Sequence, residues 1–201
     1  MYDWANSAFA TTVMAGFFPI FFKHYWAKDL DPGDSTLILG AANSSSSLLL
    51  ALIAPLLGSL ADRGGYKKEI LFLTASLGVL STLALFFIPE GYWPLAALTY
   101  ALAAFGFMAS LIPYDSLLVD VTRGSRMDRI SGLGFGLGYL GGGLLFVLNV
   151  LWYLQPQWFG IPDSATAVRL SFLSVSIWWA LFSIPLFLFV KERRDQPQSA
   201  S

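Results

Sequence analysis

Residues 70–88 read ILFLTASLGVLSTLALFFI, nineteen consecutive residues without a charge. A helix of about 20 apolar residues spans the hydrocarbon core of a bilayer, so this stretch predicts a transmembrane helix. Five further stretches are comparably long and apolar: residues 4–22, 36–60, 93–119, 130–154 and 168–190. A β-barrel would instead show alternating segments of roughly 10 residues. The sequence therefore predicts one domain, residues 1–190, with six transmembrane helices, followed by a cytoplasmic tail or linker over residues 191–201.

The composition agrees with a chain embedded in lipid. It is 56% hydrophobic and only 12% charged, whereas soluble domains carry about 25% charged residues. The alternative is a soluble protein with a large buried core, but too few charges are present to build a water-facing surface. We therefore expect a lipid bilayer, and no nucleic acid, as the partner of this surface.

Side chains suited to metal binding or nucleophilic catalysis are scarce. The chain has no cysteine, and its single histidine, His24, stands at a predicted helix end, where it fits an interfacial role. No nucleophile is accompanied by a base, and no pair of catalytic groups shares one membrane depth. We therefore predict no metal, no other cofactor, no catalytic residue and no enzymatic activity.

Positive charges flank alternate predicted loops. Basic residues in short loops are retained on the cytoplasmic side of a membrane. Nine of the twelve Lys and Arg residues flank the loops after helices two and four or follow helix six: Arg63, Lys67, Lys68, Arg123, Arg126, Arg129, Lys191, Arg193 and Arg194. We therefore expect a multi-pass membrane protein with both termini in the cytoplasm.

The character of the predicted helices follows the same order twice. Helices one and four carry polar residues, helices two and five are rich in Gly, Ala and Ser, and helices three and six are mostly Leu, Phe, Val and Ile. We expect the polar helices to face water and helices three and six to be peripheral. A repeated triplet of this kind predicts an all-α bundle built as a 3+3 inverted repeat. Chance ordering of six helices is the alternative.

The predicted loop after helix two has the most specific pattern, GSLADRGGYKK at residues 58–68. Glycines permit close helix contact and turns with positive φ, and an aspartate among cations can exchange ion-pair partners across a moving interface. The pattern resembles the cytoplasmic signature of the major facilitator superfamily, in which it is implied to gate the conformational change. The matching positions are Gly58, Asp62, Arg63, Gly65, Lys67 and Lys68. Tyr66 departs from the signature where a cation is usual. An ordinary basic cytoplasmic turn is the alternative.

Further stretches narrow this resemblance: YDWANSAF at 2–9, YDSLL at 114–118, RISG at 129–132 and GYLGGG at 138–143. Together they are similar to the branch that includes the autophagy-related vacuolar amino-acid effluxers and many bacterial permeases. The likeness covers the whole chain, but only the first six of twelve expected helices. The resemblance therefore implies an N-terminal half, whose partner is a missing C-terminal six-helix half or a second copy.

The candidate residues for substrate binding or coupling are Asp3, Asn6, Ser7, Tyr114 and Asp115. The resemblance implies that helices one and four line a central cavity, and Asp3 and Ser7 project from nearly one helical face. Alternatively, Asp3 caps the first helix and Asn6 bonds to a neighbouring helix. An ionisable group such as Asp115 is costly within a membrane unless it faces a cavity or a partner. Arg123 and Arg126 are its candidate partners.

These features together predict half of a secondary active transporter that moves a small polar solute by alternating access. Only the resemblance favours amino acids, and sugars or peptides remain open. We expect a bacterial inner membrane in preference to a eukaryotic vacuole membrane. The alternative function is a non-transporting membrane scaffold or regulatory subunit formed by a truncated transporter half.

Overall fold

The computed structural model describes residues 1–121 and 127–192. Within these ranges there is no strand, and six helices are long and apolar enough to cross a membrane. They are α1 (Tyr2–Trp26), α2 (Pro32–Gly64), α3 (Lys67–Phe87), α4 (Trp93–Val121), α5 (Met127–Leu154) and α6 (Ser164–Phe189). A short 3₁₀ turn, Pro156–Phe159, links α5 to α6. The prediction of an all-α membrane protein with six transmembrane helices is confirmed.

Several helices begin before the apolar stretch that predicted them, because polar residues start them. In α6 the Asp163 carboxylate accepts a hydrogen bond of 2.7 Å from the backbone N–H of Thr166. This is an N-cap, which satisfies a backbone donor that the first turn of a helix leaves unpaired. The same hydrogen bond lowers the pKa of Asp163. Helix α2 starts at Pro32. Proline suits a first helical position because it has no N–H, and an N–H at that position would have no partner within the helix.

Helix α1 is not a regular α-helix along its whole length. Its hydrogen bonding is α-helical over Tyr2–Ala8, widens to the π-helical pattern over Phe9–Phe17, and is again π-helical over Phe22–Trp26. π-Helical turns are rare and are often found at functional sites. The Thr11 hydroxyl donates to the Ser7 carbonyl oxygen at 2.9 Å, close to the point where the pattern changes.

The bundle is held by close packing between particular helix pairs. The most extensive contacts join α3 to α4, α1 to α5 and α2 to α4, and α6 contacts both α1 and α3. The α3–α4 contact is close because two glycines face each other, and a Cβ placed on Gly106 would overlap the backbone of Gly78. Trp179 of α6 fills the remaining space beside Gly78 and is fully buried. These contacts form the centre of the described core.

The helices differ in how much of their surface the rest of the chain covers. Among the 18 most apolar consecutive residues of each helix, 50% are buried in α1 and 44% in α4, but only 17% in α2 and 28% in α5. Half or more of these residues in α1 and α4 are not buried by the described part of the chain, and the expectation that both helices face water stays a prediction. Within the described residues, α2 and α5 are less covered than α3 and α6, which we expected to be peripheral.

Candidate functional site

The first turn of α1 is joined to α4 by a short hydrogen bond. The Tyr114 hydroxyl donates to Oδ2 of Asp3 at 2.6 Å, and both side chains are partly buried. A hydrogen bond to an ionised carboxylate is shorter and stronger than one between neutral groups. Two of the predicted site residues, which are 111 positions apart in the sequence, therefore form one unit.

This unit forms part of the wall of a cleft between α1, α4 and α5. The cleft has a volume of about 320 Å³. Asp115 also lines it, so Asp3, Tyr114 and Asp115 share one opening. Ser131 of α5 adds a hydroxyl group to the wall. The remaining lining residues are Met1, Leu118, Ile130, Leu133, Gly134, Phe135 and Leu137. Charged and hydroxyl groups thus converge in a setting that is otherwise apolar.

Glycines of α5 allow this arrangement by letting α5 lie directly on the polar face of α1. A Cβ on Gly134 would lie 2.6 Å from Oδ2 of Asp3, and one on Gly138 would lie 2.7 Å from Oγ of Ser7. Both distances are shorter than side-chain atoms adopt, so neither position accommodates a larger residue without movement. Small residues at helix contacts in membranes serve this purpose.

The other two predicted site residues on α1 lie outside the lining of the cleft. Asn6 is 3% exposed, and its Nδ2 has no hydrogen-bond partner within the described part of the chain. Ser7 is packed against Gly138 and Gly142 of α5. The structure therefore brings Asp3, Tyr114 and Asp115 together and places Asn6 and Ser7 in helix contacts.

The residues of the loop pattern divide between the two sides of a short turn. Gly58 has open space beside it within the described structure, and Gly65 ends α2 with a φ of 62°. Gly64 is still helical, so only one of the two adjacent glycines needs the left-handed conformation. Lys67 and Lys68 begin α3 and contact α4 and α6. The side chains of Asp62 and Arg63 lie outside the described part of the chain, as do Arg123 and Arg126.

Comparison with known proteins identifies the family. The family described as "vacuole effluxer Atg22 like" matches residues 34–201. The chain belongs to this Atg22-like family. A similar protein is the "uncharacterized MFS-type transporter YxiO" of Bacillus subtilis (strain 168), which is 40% identical over 195 residues. These residues make up 96% of this chain and 46% of that relative. The resemblance to the major facilitator superfamily and to its Atg22 branch is confirmed.

More distant relatives of this Atg22-like chain are fungal. Autophagy-related protein 22 of Pyricularia oryzae is 24% identical over 213 residues, which cover 79% of this chain and 31% of the relative. The protein of the same name from Yarrowia lipolytica is 31% identical over 75 residues, or 37% of this chain and 12% of the relative. The chain spans less than half the length of each of these relatives. No solved structure matches it.

The Atg22-like chain also contains contacts near the site that the sequence pattern did not indicate. The buried Tyr2 hydroxyl donates to Oγ of Ser110 at 2.7 Å, and Trp178 Nε1 donates to the Trp4 carbonyl oxygen at 3.0 Å. The rings of Trp4 and Trp178 are stacked, with centroids 5.8 Å apart. These contacts hold the first turn of α1 against α4 and α6. Their only signal in the sequence was the aromatic residues at positions 2 and 4, which suit membrane boundaries equally well.

Proposed function

We propose that this chain is the N-terminal half of a secondary transporter that moves a small polar solute by alternating access. The observation that carries the proposal is the cleft in which Asp3, Tyr114 and Asp115 meet. Membership of an effluxer family, and a bacterial relative named as a transporter, support transport over enzymatic activity. Ionisable groups at membrane depth are costly and commonly belong to substrate or proton pathways.

The chemistry of the cleft suits a solute that carries a positive group. Asp3 and Asp115 each present a carboxylate when ionised, and no Lys or Arg lines the cleft within the described part of the chain. The ammonium group of an amino acid would complement these carboxylates, and the Tyr114 hydroxyl would hold Asp3 in place. A proton bound by either carboxylate would weaken this attraction, so protonation would favour release of the solute. Amino acids are therefore the first substrate class to test.

The exposed faces of α2 and α5 are the surfaces on which we place the missing half. Gly40, Gly58 and Gly136 have open space beside them, and Leu52 and Phe135 are 72% and 63% exposed. Small residues beside large apolar ones suit helix–helix contact within a membrane. A C-terminal six-helix half, or a second copy of this chain, would cover these faces and complete a central cavity.

We further propose that both termini lie in the cytoplasm, so that the cleft opens towards it. The distribution of Lys and Arg residues supports this orientation. The Bacillus relative, which aligns with nearly the whole chain, favours a bacterial inner membrane over a vacuole membrane. The loop at residues 58–68 would then lie at the cytoplasmic entrance, where its Asp62 would act as part of the gate.

The test is solute flux in proteoliposomes that contain this chain together with any C-terminal half that its gene encodes. Counterflow of radiolabelled amino acids is measured for the unchanged protein, for Asp3→Asn and for Asp34→Asn. Asp34 is an exposed carboxylate in the first turn of α2, remote in sequence from the cleft residues, and serves as the matched control. We expect loss of counterflow in Asp3→Asn alone. Absence of flux for amino acids, sugars and peptides in a correctly inserted protein would instead favour the scaffold function.

A further inference from the structure

At one end of the α3–α6 pair, a lysine of α3 forms hydrogen bonds to α6. Lys68 lies in the first turn of α3, and its Nζ donates to the carbonyl oxygens of Phe187 at 2.7 Å and Val190 at 3.0 Å. Helix α6 ends at Phe189. The last carbonyl groups of a helix have no donor within the helix, and a cation there also complements the helix dipole. Lys68 of α3 therefore caps the C-terminus of α6.

At the opposite end of the same pair, an arginine of α6 forms a hydrogen bond to α3. Arg169 lies near the start of α6, and its Nε donates to the carbonyl oxygen of Phe86 at 2.9 Å. Helix α3 ends at Phe87. The guanidinium group also lies over the Phe86 ring, 5.3 Å from the centroid, which adds a cation–π contact. Arg169 of α6 therefore caps the C-terminus of α3.

The two contacts are related by one constant shift along the chain. Arg169 lies 101 positions after Lys68, and Phe187 lies 101 positions after Phe86. Gly78 and Trp179 are also 101 positions apart, and they contact each other between the two ends of the pair. A two-fold axis relating α3 to α6 would carry each C-terminal cap onto the other and would place Gly78 beside Trp179, its equivalent. The three contacts have this arrangement.

We propose that Lys68 and Arg169 are equivalent residues of the inverted repeat and together form a two-ended clamp that holds α3 and α6 as one rigid unit. Two of the three Nζ donors of Lys68 are engaged within the chain, so this residue serves the clamp and not a gate with a partner half. The Lys67 backbone N–H strengthens the same end by donating to Oε1 of Glu192 at 2.7 Å. The equivalence does not extend to the starts of the two helices, because the Asp163 side chain caps α6 whereas Tyr66 makes no side-chain cap hydrogen bond to α3.

The clamp can be tested by distance measurement, because the chain has no cysteine that would compete for labels. Spin labels on cysteines at positions 69 and 188 report the Lys68 end, and labels at positions 87 and 170 report the Arg169 end. Each pair joins α3 to α6. We expect Lys68→Met to broaden the distance distribution at its own end only, and Arg169→Met to broaden it at the other end only. Lys191→Met, which removes an exposed cation just after α6, is the matched control and leaves both distributions unchanged.

A variant that combines Lys68→Arg with Arg169→Lys tests whether the two residues are equivalent. Both distributions remain narrow in this exchange, because either position accepts either cation. The clamp is overturned if neither Met variant broadens its own end, or if each broadens both ends equally. Equivalence is overturned if the exchange variant broadens both ends as much as the double Met variant does.

The unfolding midpoint in detergent is a second measurement of the clamp, and it needs no spin label. The helices are about 30 Å long, so the two ends are independent and their effects should add. We expect a decrease of about 2–4 °C in the unfolding midpoint for each single Met variant and the sum for the double variant. Unchanged midpoints in all three variants would contradict the clamp.

Discussion

Replacing Gly134 with alanine tests whether the Asp3–Tyr114 hydrogen bond matters for transport. The added Cβ would lie 2.6 Å from Oδ2 of Asp3, which is too close for a carbon and an oxygen without a hydrogen bond. The carboxylate must withdraw by roughly 0.5–1 Å. Because it is the free end of a short side chain, it can swing away while the helices keep their places. The hydrogen bond from Tyr114, which is 2.6 Å long, is then lost.

The magnitude of the effect follows from the type of bond. A hydrogen bond to a charged group contributes about 1.5–3 kcal/mol, and each 1.4 kcal/mol corresponds to a factor of ten. If transport depends on the bond, Gly134→Ala lowers the initial rate of flux by at least about tenfold. Folding stability should fall by less than the full value of the lost bond, since alanine in place of glycine favours a helix interior by about 0.5–1 kcal/mol.

The assay is counterflow in proteoliposomes, together with the unfolding midpoint in detergent. Gly143→Ala is the control, because a Cβ at Gly143 meets open space on the same helix. Tyr114→Phe should reproduce the loss, and the double variant with Gly134→Ala should lose no more than either single variant, since both remove one contact. Normal flux in Gly134→Ala, or additive losses in the double variant, would refute the reasoning.

Three further predictions concern the stability of the bundle and use the unfolding midpoint as the measurement. Gly78→Ala should destabilise the protein by about 1–3 kcal/mol relative to Gly143→Ala, because the new methyl group overlaps the buried Trp179 ring; an unchanged midpoint would contradict the close α3–α4–α6 contact. Asp163→Ala should cost about 1 kcal/mol at neutral pH. Because hydrogen bonds from Thr166 lower the pKa of Asp163 from 3.8, the stability that Asp163 contributes is present above that value and is lost as the pH falls through the lower pKa of the folded protein. A midpoint difference between Asp163→Ala and the unchanged protein that persists undiminished at lower pH would count against this cap. Lys28→Met should leave the midpoint unchanged at physiological salt, since Lys28 and Glu90 are about half exposed (47% and 49%) and surface ion pairs contribute little, so a clear drop would be unexpected.

The fold class was predictable from sequence because hydrophobicity and length decide whether a helix spans a membrane. Residues 70–88 gave the position of α3 to within a few residues of its ends. The hydroxyl groups of Ser45 and Ser46 bond to the Ala42 carbonyl oxygen, as expected for serines inside an apolar helix. Local chemistry of this kind needs no knowledge of the neighbouring helices.

Contacts between distant helices were less predictable, because they depend on which faces meet. Polarity singled out Asp3, Tyr114 and Asp115, but it did not separate them from Asn6, which is buried outside the cleft. Lys68 fitted a gating motif by spacing, yet its ammonium group bonds to carbonyl oxygens of α6. Hydropathy also does not reveal which helix surfaces the rest of the chain covers: within the described residues, α2 and α5 are less covered than α3 and α6.

The most direct measurement of the transport account compares uphill accumulation with exchange in Asp115→Asn. Asn keeps the shape of the side chain but cannot bind and release a proton. If Asp115 couples a proton gradient to solute movement, the variant exchanges labelled solute across the proteoliposome membrane but does not accumulate it against a gradient. Asp34→Asn, measured beside it, should do both. Unchanged accumulation in Asp115→Asn would contradict the account.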